Sequence, residues 1–127
     1  KDFSTWHTYQ TEAGNAEIAK LTNLVFLKLG QRLPGKGREA TSLSDASLAK
    51  FAALKSLENF KIGEGRFTLE GLKALKLYPS LKTLLLYETD FPETGLEALK
   101  KELPQVKITL EPQTEVQKKR LDQYVPL

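Results

Sequence analysis

The sequence predicts an α/β solenoid, a curved stack with a parallel sheet on its inner, concave face and helices on its outer, convex face. Three observations carry this. A leucine-spaced pattern occurs four times: Leu24-x-x-Leu27-x-Leu29, Leu57-x-x-Phe60-x-Ile62, Leu81-x-x-Leu84-x-Leu86 and the compressed Val106-x-Ile108-x-Leu110. The spacing is nearly fixed, since the chain advances by 24 from Leu57 to Leu81 and by 25 from Leu81 to Val106. The second halves also repeat in step, as Leu43-Ser44-Asp45-Ala46-Ser47-Leu48, Phe67-Thr68-Leu69-Glu70-Gly71-Leu72 and Phe91-Pro92-Glu93-Thr94-Gly95-Leu96. A unit this short cannot bury its own apolar face and must stack on a neighbour.

Strands are predicted at about 25–29, 58–62, 82–86 and 106–110, where apolar residues alternate. Helices are predicted at about 13–20, 45–53, 69–77 and 94–102. Their signal is apolar spacing of three and four, as in Leu48/Phe51, Leu72/Leu75 and Leu96/Leu99/Leu103. Ser44 or Asp45, Thr68, and Pro92 or Thr94 stand where helix starts want a capping oxygen or an N1 proline. Pro79 and Pro104 stop two helices. Strands that each follow a helical crossover run parallel.

On these residues the chain resembles leucine-rich repeat proteins, whose consensus is Leu-x-x-Leu-x-Leu-x-x-Asn-x-Leu, over roughly residues 13–110. More narrowly it resembles the bacterial variety whose convex segment reads Thr-Asp-Ala-Gly-Leu, matched by Leu43 through Leu48. The resemblance implies a right-handed α/β solenoid, and the residues themselves point to no enzymatic activity. It also implies a setting beside other domains in exported bacterial proteins, and hence an exported or periplasmic location. The family's asparagine position falls on Gly65 and Thr89. A threonine hydroxyl is expected to satisfy turn amides there.

The chain has 127 residues, enough for one domain. Forty per cent are hydrophobic and 28 per cent charged, an ordinary water-compatible composition. No apolar run approaches the ~20 residues of a membrane span. The chain begins at Lys1 without an initiator Met, which reads as a processed form or a fragment. The absence of cysteine removes disulfides, thiolate catalysis and cysteine metal sites. Net charge is only +3, with 16 acidic residues interleaved among 19 basic ones, which argues against nucleic acid as partner.

Residues 1–12 are read as an N-terminal cap, with Phe3 and Trp6 three apart on one helical turn, and residues 111–127 as a C-terminal cap or tail. In the latter, Pro112 stops the last strand and Thr114 caps a short helix bearing Val116, Leu121 and Tyr124. An incompletely capped terminal strand would permit edge-to-edge pairing.

The interval from Leu24 to Leu57 is longer than the step from Leu57 to Leu81, and the excess lies in 30–42. There Gly30-x-x-x-x-Gly35-Lys36 matches a phosphate-binding loop up to Gly37, which replaces the magnesium-holding hydroxyl residue. Arg32, Lys36 and Arg38 make it a possible binding loop. Glu64 and Glu88, at equivalent places in successive repeats, and Asp90 are read as solvated turn acids, and His7 is the only histidine. Hence no catalytic residue, metal site or cofactor is assigned.

The sheet's inner face is the better candidate. If Leu57, Phe60 and Ile62 face the core, Asn59, Lys61 and Gly63 face away from it. The same register turns out Phe26, Lys28 and Gly30, then Thr83, Leu85 and Tyr87, then Lys107, Thr109 and Glu111. The predicted partner-binding set is Phe26, Lys28, Asn59, Lys61, Thr83, Leu85, Tyr87 and Lys107. Aromatic and aliphatic anchors beside lysines suit a protein or peptide ligand. The alternatives are a structural accessory domain or subunit of a larger assembly, and phosphate or nucleic-acid binding through the 30–42 loop.

Overall fold

The computed structural model describes residues 2–4, 12–30, 44–63, 65–87 and 89–124. Five strands form one parallel sheet in chain order: β1 (Asp2–Ser4), β2 (Phe26–Gly30), β3 (Asn59–Gly63), β4 (Thr83–Tyr87) and β5 (Lys107–Glu111). Helices α1 (Glu12–Ile18), α2 (Asp45–Lys50), α3 (Leu69–Leu72) and α4 (Leu96–Glu102) alternate with the strands, and α5 (Glu115–Tyr124) follows β5. Short 3-10 turns extend α2 through Ala53 and α3 through Leu77, and one at Glu93–Gly95 leads into α4.

The repeat spacing becomes strand register. Asn59 pairs with Thr83 and Thr83 with Lys107, so each strand step equals the step from Leu57 to Leu81. Phe26 pairs with Asn59 across the longer first interval, so the extra residues leave the register intact. One tight turn recurs before each of β2 to β5. Leu24 N–H donates to Leu21 O, Leu57 to Leu54, Leu81 to Tyr78 and Val106 to Leu103, at 3.0, 3.2, 3.5 and 3.1 Å. The apolar residue that opens each repeat thus sits just before its strand, and each strand runs one residue later than the apolar alternation alone suggests.

Period-two alternation aims Leu27, Leu29, Phe60, Ile62, Leu84, Leu86 and Ile108 at the helices. There they meet Leu48 and Phe51 of the α2 segment, Leu72 and Leu75 of the α3 segment, and Leu99 of α4 in one core. Each such side chain, fully buried, contributes about 1.5–3 kcal/mol. Phe60 is its aromatic centre, edge-on to Phe51 (centroids 6.2 Å apart) and stacked on Tyr78 (6.0 Å). The Tyr78 hydroxyl donates to Leu48 O, so this ring enters the core with its polar end satisfied.

The start of α3 is held from the preceding repeat. Thr68 Oγ1 accepts from Gly71 N–H at 3.0 Å and so caps α3. Asp45, in the first turn of α2, accepts from both Thr68 N–H (3.0 Å) and Thr68 Oγ1 (2.7 Å). Gly71 is required at this crossing, because a Cβ there would run into the Asp45 carboxylate. In the next repeat Asp90 accepts from Phe67 N–H and from Arg66, and Arg66 also donates to Asp122 of α5 at 2.8 Å. Burial lowers the Arg66 pKa, but its hydrogen bonds to Asp122 and Asp90 outweigh this and the net shift is upward.

Three expectations change at the ends and turns. Phe3 lies in a strand, paired parallel with β2 and packed against the core, and not on a helical turn; Trp6 and His7 fall outside the described residues. Residues 115–124 are helical and Thr114 Oγ1 accepts from Gln117 N–H as a cap, but Val116 is 77% exposed, and the side chains of Leu121 and Tyr124 lie outside those described. Thr89 is only 3% exposed, and its hydroxyl satisfies no turn amide among the described residues.

Candidate functional site

The sheet face opposite the helices is built as three rows. Asp2, Phe26, Asn59, Thr83 and Lys107 form the first, Ser4, Lys28, Lys61, Leu85 and Thr109 the second, and Gly30, Gly63, Tyr87 and Glu111 the third. Parallel pairing in register puts residues of one row about 4.8 Å apart, within side-chain reach.

The first two rows interlock. Lys61 Nζ lies 5.5 Å from the centre of the Phe26 ring, a cation–π contact that turns the ammonium toward β2. Thr83 Oγ1 donates to Asn59 Oδ1 at 2.7 Å. Phe26, Lys28, Asn59, Lys61, Thr83 and Leu85 are all half-buried, while Lys107, Thr109 and Glu111 are exposed. A shallow depression of about 310 Å³ opens among Lys61, Thr83, Leu85, Lys107, Thr109 and Glu111. Its floor is aliphatic at Leu85 and its rim carries both signs of charge. Such a surface can take an apolar side chain against Leu85, with polar groups at Lys61 and Lys107.

One predicted position behaves otherwise. Tyr87 does not present its ring to a partner. It is 4% exposed, lies over Gly63, and donates from its hydroxyl to Leu29 O at 2.9 Å. Gly30 and Gly63 share its row, and the missing side chains leave room for the ring to cross β3. The signal was present as two glycines at equivalent repeat positions beside a tyrosine. Lys107 lies in register with Thr83 and Asn59, as the alternation predicts, and Lys28 and Lys61 share their row with Leu85 and Thr109. Sequence reasoning also missed β1, which adds Asp2 and Ser4 to the face; so short a strand gives periodicity nothing to register.

Arg32, Lys36 and Arg38 of the 30–42 loop lie outside the described residues, as do Glu64 and Glu88. Asp90 is occupied by Arg66 and the Phe67 amide. Among the described residues no group of three or more His, Cys, Asp or Glu could hold a metal ion, and no helix is long and apolar enough to cross a membrane.

Comparison with protein-family models, with curated proteins and with solved structures returned no match.

Proposed function

We propose that this chain is a short leucine-rich repeat module, a right-handed solenoid that binds an extended protein or peptide segment across its open sheet face. The repeat reading is supported by register partners that recur at the sequence period, Asn59 to Thr83 to Lys107, and by the turn that recurs before each of four strands. If it holds, excising one whole unit, residues 57–80, leaves a protein that still unfolds cooperatively, with one strand fewer. Loss of all cooperative structure would count against stacked, nearest-neighbour units.

The observation that carries the binding reading is the partial exposure of Leu85, on the floor of the depression between Lys61 and Lys107, and of Phe26 beneath Lys61, on a face whose other exposed side chains are polar. Apolar anchors ringed by polar groups are where binding energy concentrates. The ligand is an extended segment with an apolar side chain for the floor and a carboxylate for Lys61 or Lys107. The test is selection from a displayed peptide library, followed by affinities for the Phe26→Ser and Leu85→Ser proteins. Each change should weaken the selected peptides at least ~10-fold. Leu77→Ser, on the helix side and 67% exposed, should leave them unaltered. Peptides that bind the doubly substituted protein as tightly as the native one would place the site elsewhere.

A further inference from the structure

The strand that ends the sheet, β5, has no hydrogen-bonded neighbour on its outer side among the described residues. Its ladder to β4 uses alternate residues. Lys107 N–H donates to Lys82 O at 2.8 Å, so Lys107, Thr109 and Glu111 direct their backbone groups at β4. The N–H and C=O of Ile108 and Leu110 therefore point outward. Helix α5 does not follow this edge, because its Asp122 reaches back to Arg66, beyond the end of β3.

The edge reads Lys107-Ile108-Thr109-Leu110-Glu111. It carries opposite charges at its two ends, aliphatics just inside them and threonine at the centre. Reversed upon itself about Thr109, it is complementary at every position. Lys107 falls opposite Glu111, Ile108 opposite Leu110, and Thr109 opposite Thr109. The outward backbone groups agree, since Ile108 and Leu110 then form the reciprocally bonded pairs of an antiparallel ladder and Thr109 the unbonded pair. The ladder also ends itself. Val106 N–H already donates to Leu103 O, and Pro112 has no N–H to give.

We propose that β5 pairs antiparallel with β5 of a second copy of this chain, about a two-fold axis at Thr109, joining the two sheets edge to edge. Lys107 of each copy faces Glu111 of the other on the open face, where both are exposed. Leu110, half-buried against the core, becomes covered on its outer side. The interface is isologous and closes on itself, so it gives a dimer and not a fibre. This inference needs only the parallel sheet and holds whether or not the open face binds a peptide.

Sedimentation velocity of the whole chain up to about 1 mM, a concentration suited to a small interface, tests it. The native protein should show a concentration-dependent dimer. Lys107→Glu and Glu111→Lys should each weaken it at least ~10-fold, because each sets like charges opposite one another twice. An equimolar mixture of the two variants should dimerise again, since their charges complement. That recovery also shows that both variants fold. The chain has no cysteine, so Thr109→Cys gives a single thiol. The central pair sets the two Cα atoms about 4.5 Å apart, within disulfide reach. Mild oxidation should link the copies, and adding Lys107→Glu should prevent it. A monomeric native chain at the highest concentration, or a dimer indifferent to both charge reversals, would overturn the proposal.

Discussion

The Tyr87 hydroxyl donates to the carbonyl oxygen of Leu29, two strands away, by lying across Gly63. One side chain thus ties three consecutive strands together at their C-terminal ends. The glycine is required sterically, since a Cβ at 63 would collide with the Tyr87 ring and backbone.

Gly63→Ala is accordingly expected to destabilise the protein by about 1–3 kcal/mol, as overpacking does. Tyr87→Phe should cost about 1 kcal/mol, the worth of one hydrogen bond. In the Tyr87→Ala background part of the Gly63→Ala penalty should vanish, because the obstructing ring is gone while the backbone oxygen at 87 is still met. Urea unfolding of the native protein, Gly63→Ala, Tyr87→Ala and the double variant gives the double-mutant cycle. Strict additivity would mean that the two residues do not meet.

Leu85, on the adjacent row, separates binding from folding. Leu85→Ser should alter urea stability by under about 1.5 kcal/mol, since the native side chain is only half-buried. Tyr87→Ser loses a buried ring and should cost about 3 kcal/mol or more. Equal losses at the two positions would show that Leu85 also serves the fold.

Asp45 links successive helices. Asp45→Ala leaves Thr68 N–H and its hydroxyl without their acceptor and should cost about 1–2 kcal/mol. Amide exchange in 68–72 should accelerate while β5 keeps its protection. A uniform acceleration across the sheet would mean that the contact stabilises the whole domain and not this helix start.

Tyr78 sets an alkaline limit. Burial pushes its phenol well above the ordinary value of about 10. In the folded protein it stays neutral, while in the unfolded chain it ionises above about pH 10. The unfolded state then binds fewer protons, so stability falls as pH rises past about 10, by up to ~1.4 kcal/mol per unit from this group. Below about pH 9 the group contributes no slope. Tyr78→Phe should flatten the alkaline slope while costing about 1 kcal/mol at neutral pH for the lost bond to Leu48 O. An unchanged slope in that variant would assign the alkaline transition to other groups.

Arg66 holds α5 to the repeats. Its side chain is 15% exposed between Asp90 and Asp122. Arg66→Ala leaves the partly buried Asp90 without its cation and should cost about 1–3 kcal/mol. Asp122→Ala removes only the exposed partner, so under about 1 kcal/mol is expected. Both should speed amide exchange in 115–124. Protection of α5 unaltered in both proteins would mean that other contacts dock this helix.

The sequence by itself determined the spacing and the faces. The leucines at 57 and 81 and the small residues at 47, 71 and 95 recur at one constant interval, and apolar periodicity depends on local geometry that any copy of the unit shares. That sufficed to place four strands within one position of where they lie, and to name Phe26, Lys61, Thr83 and Leu85 as neighbours on one face. Tertiary structure decided what periodicity does not encode. It made Asp2–Ser4 a strand, because an edge of β2 was open to a segment with no pattern of its own. It withdrew Tyr87 from the surface, because two glycines in register left a groove that only exists once β2, β3 and β4 lie side by side.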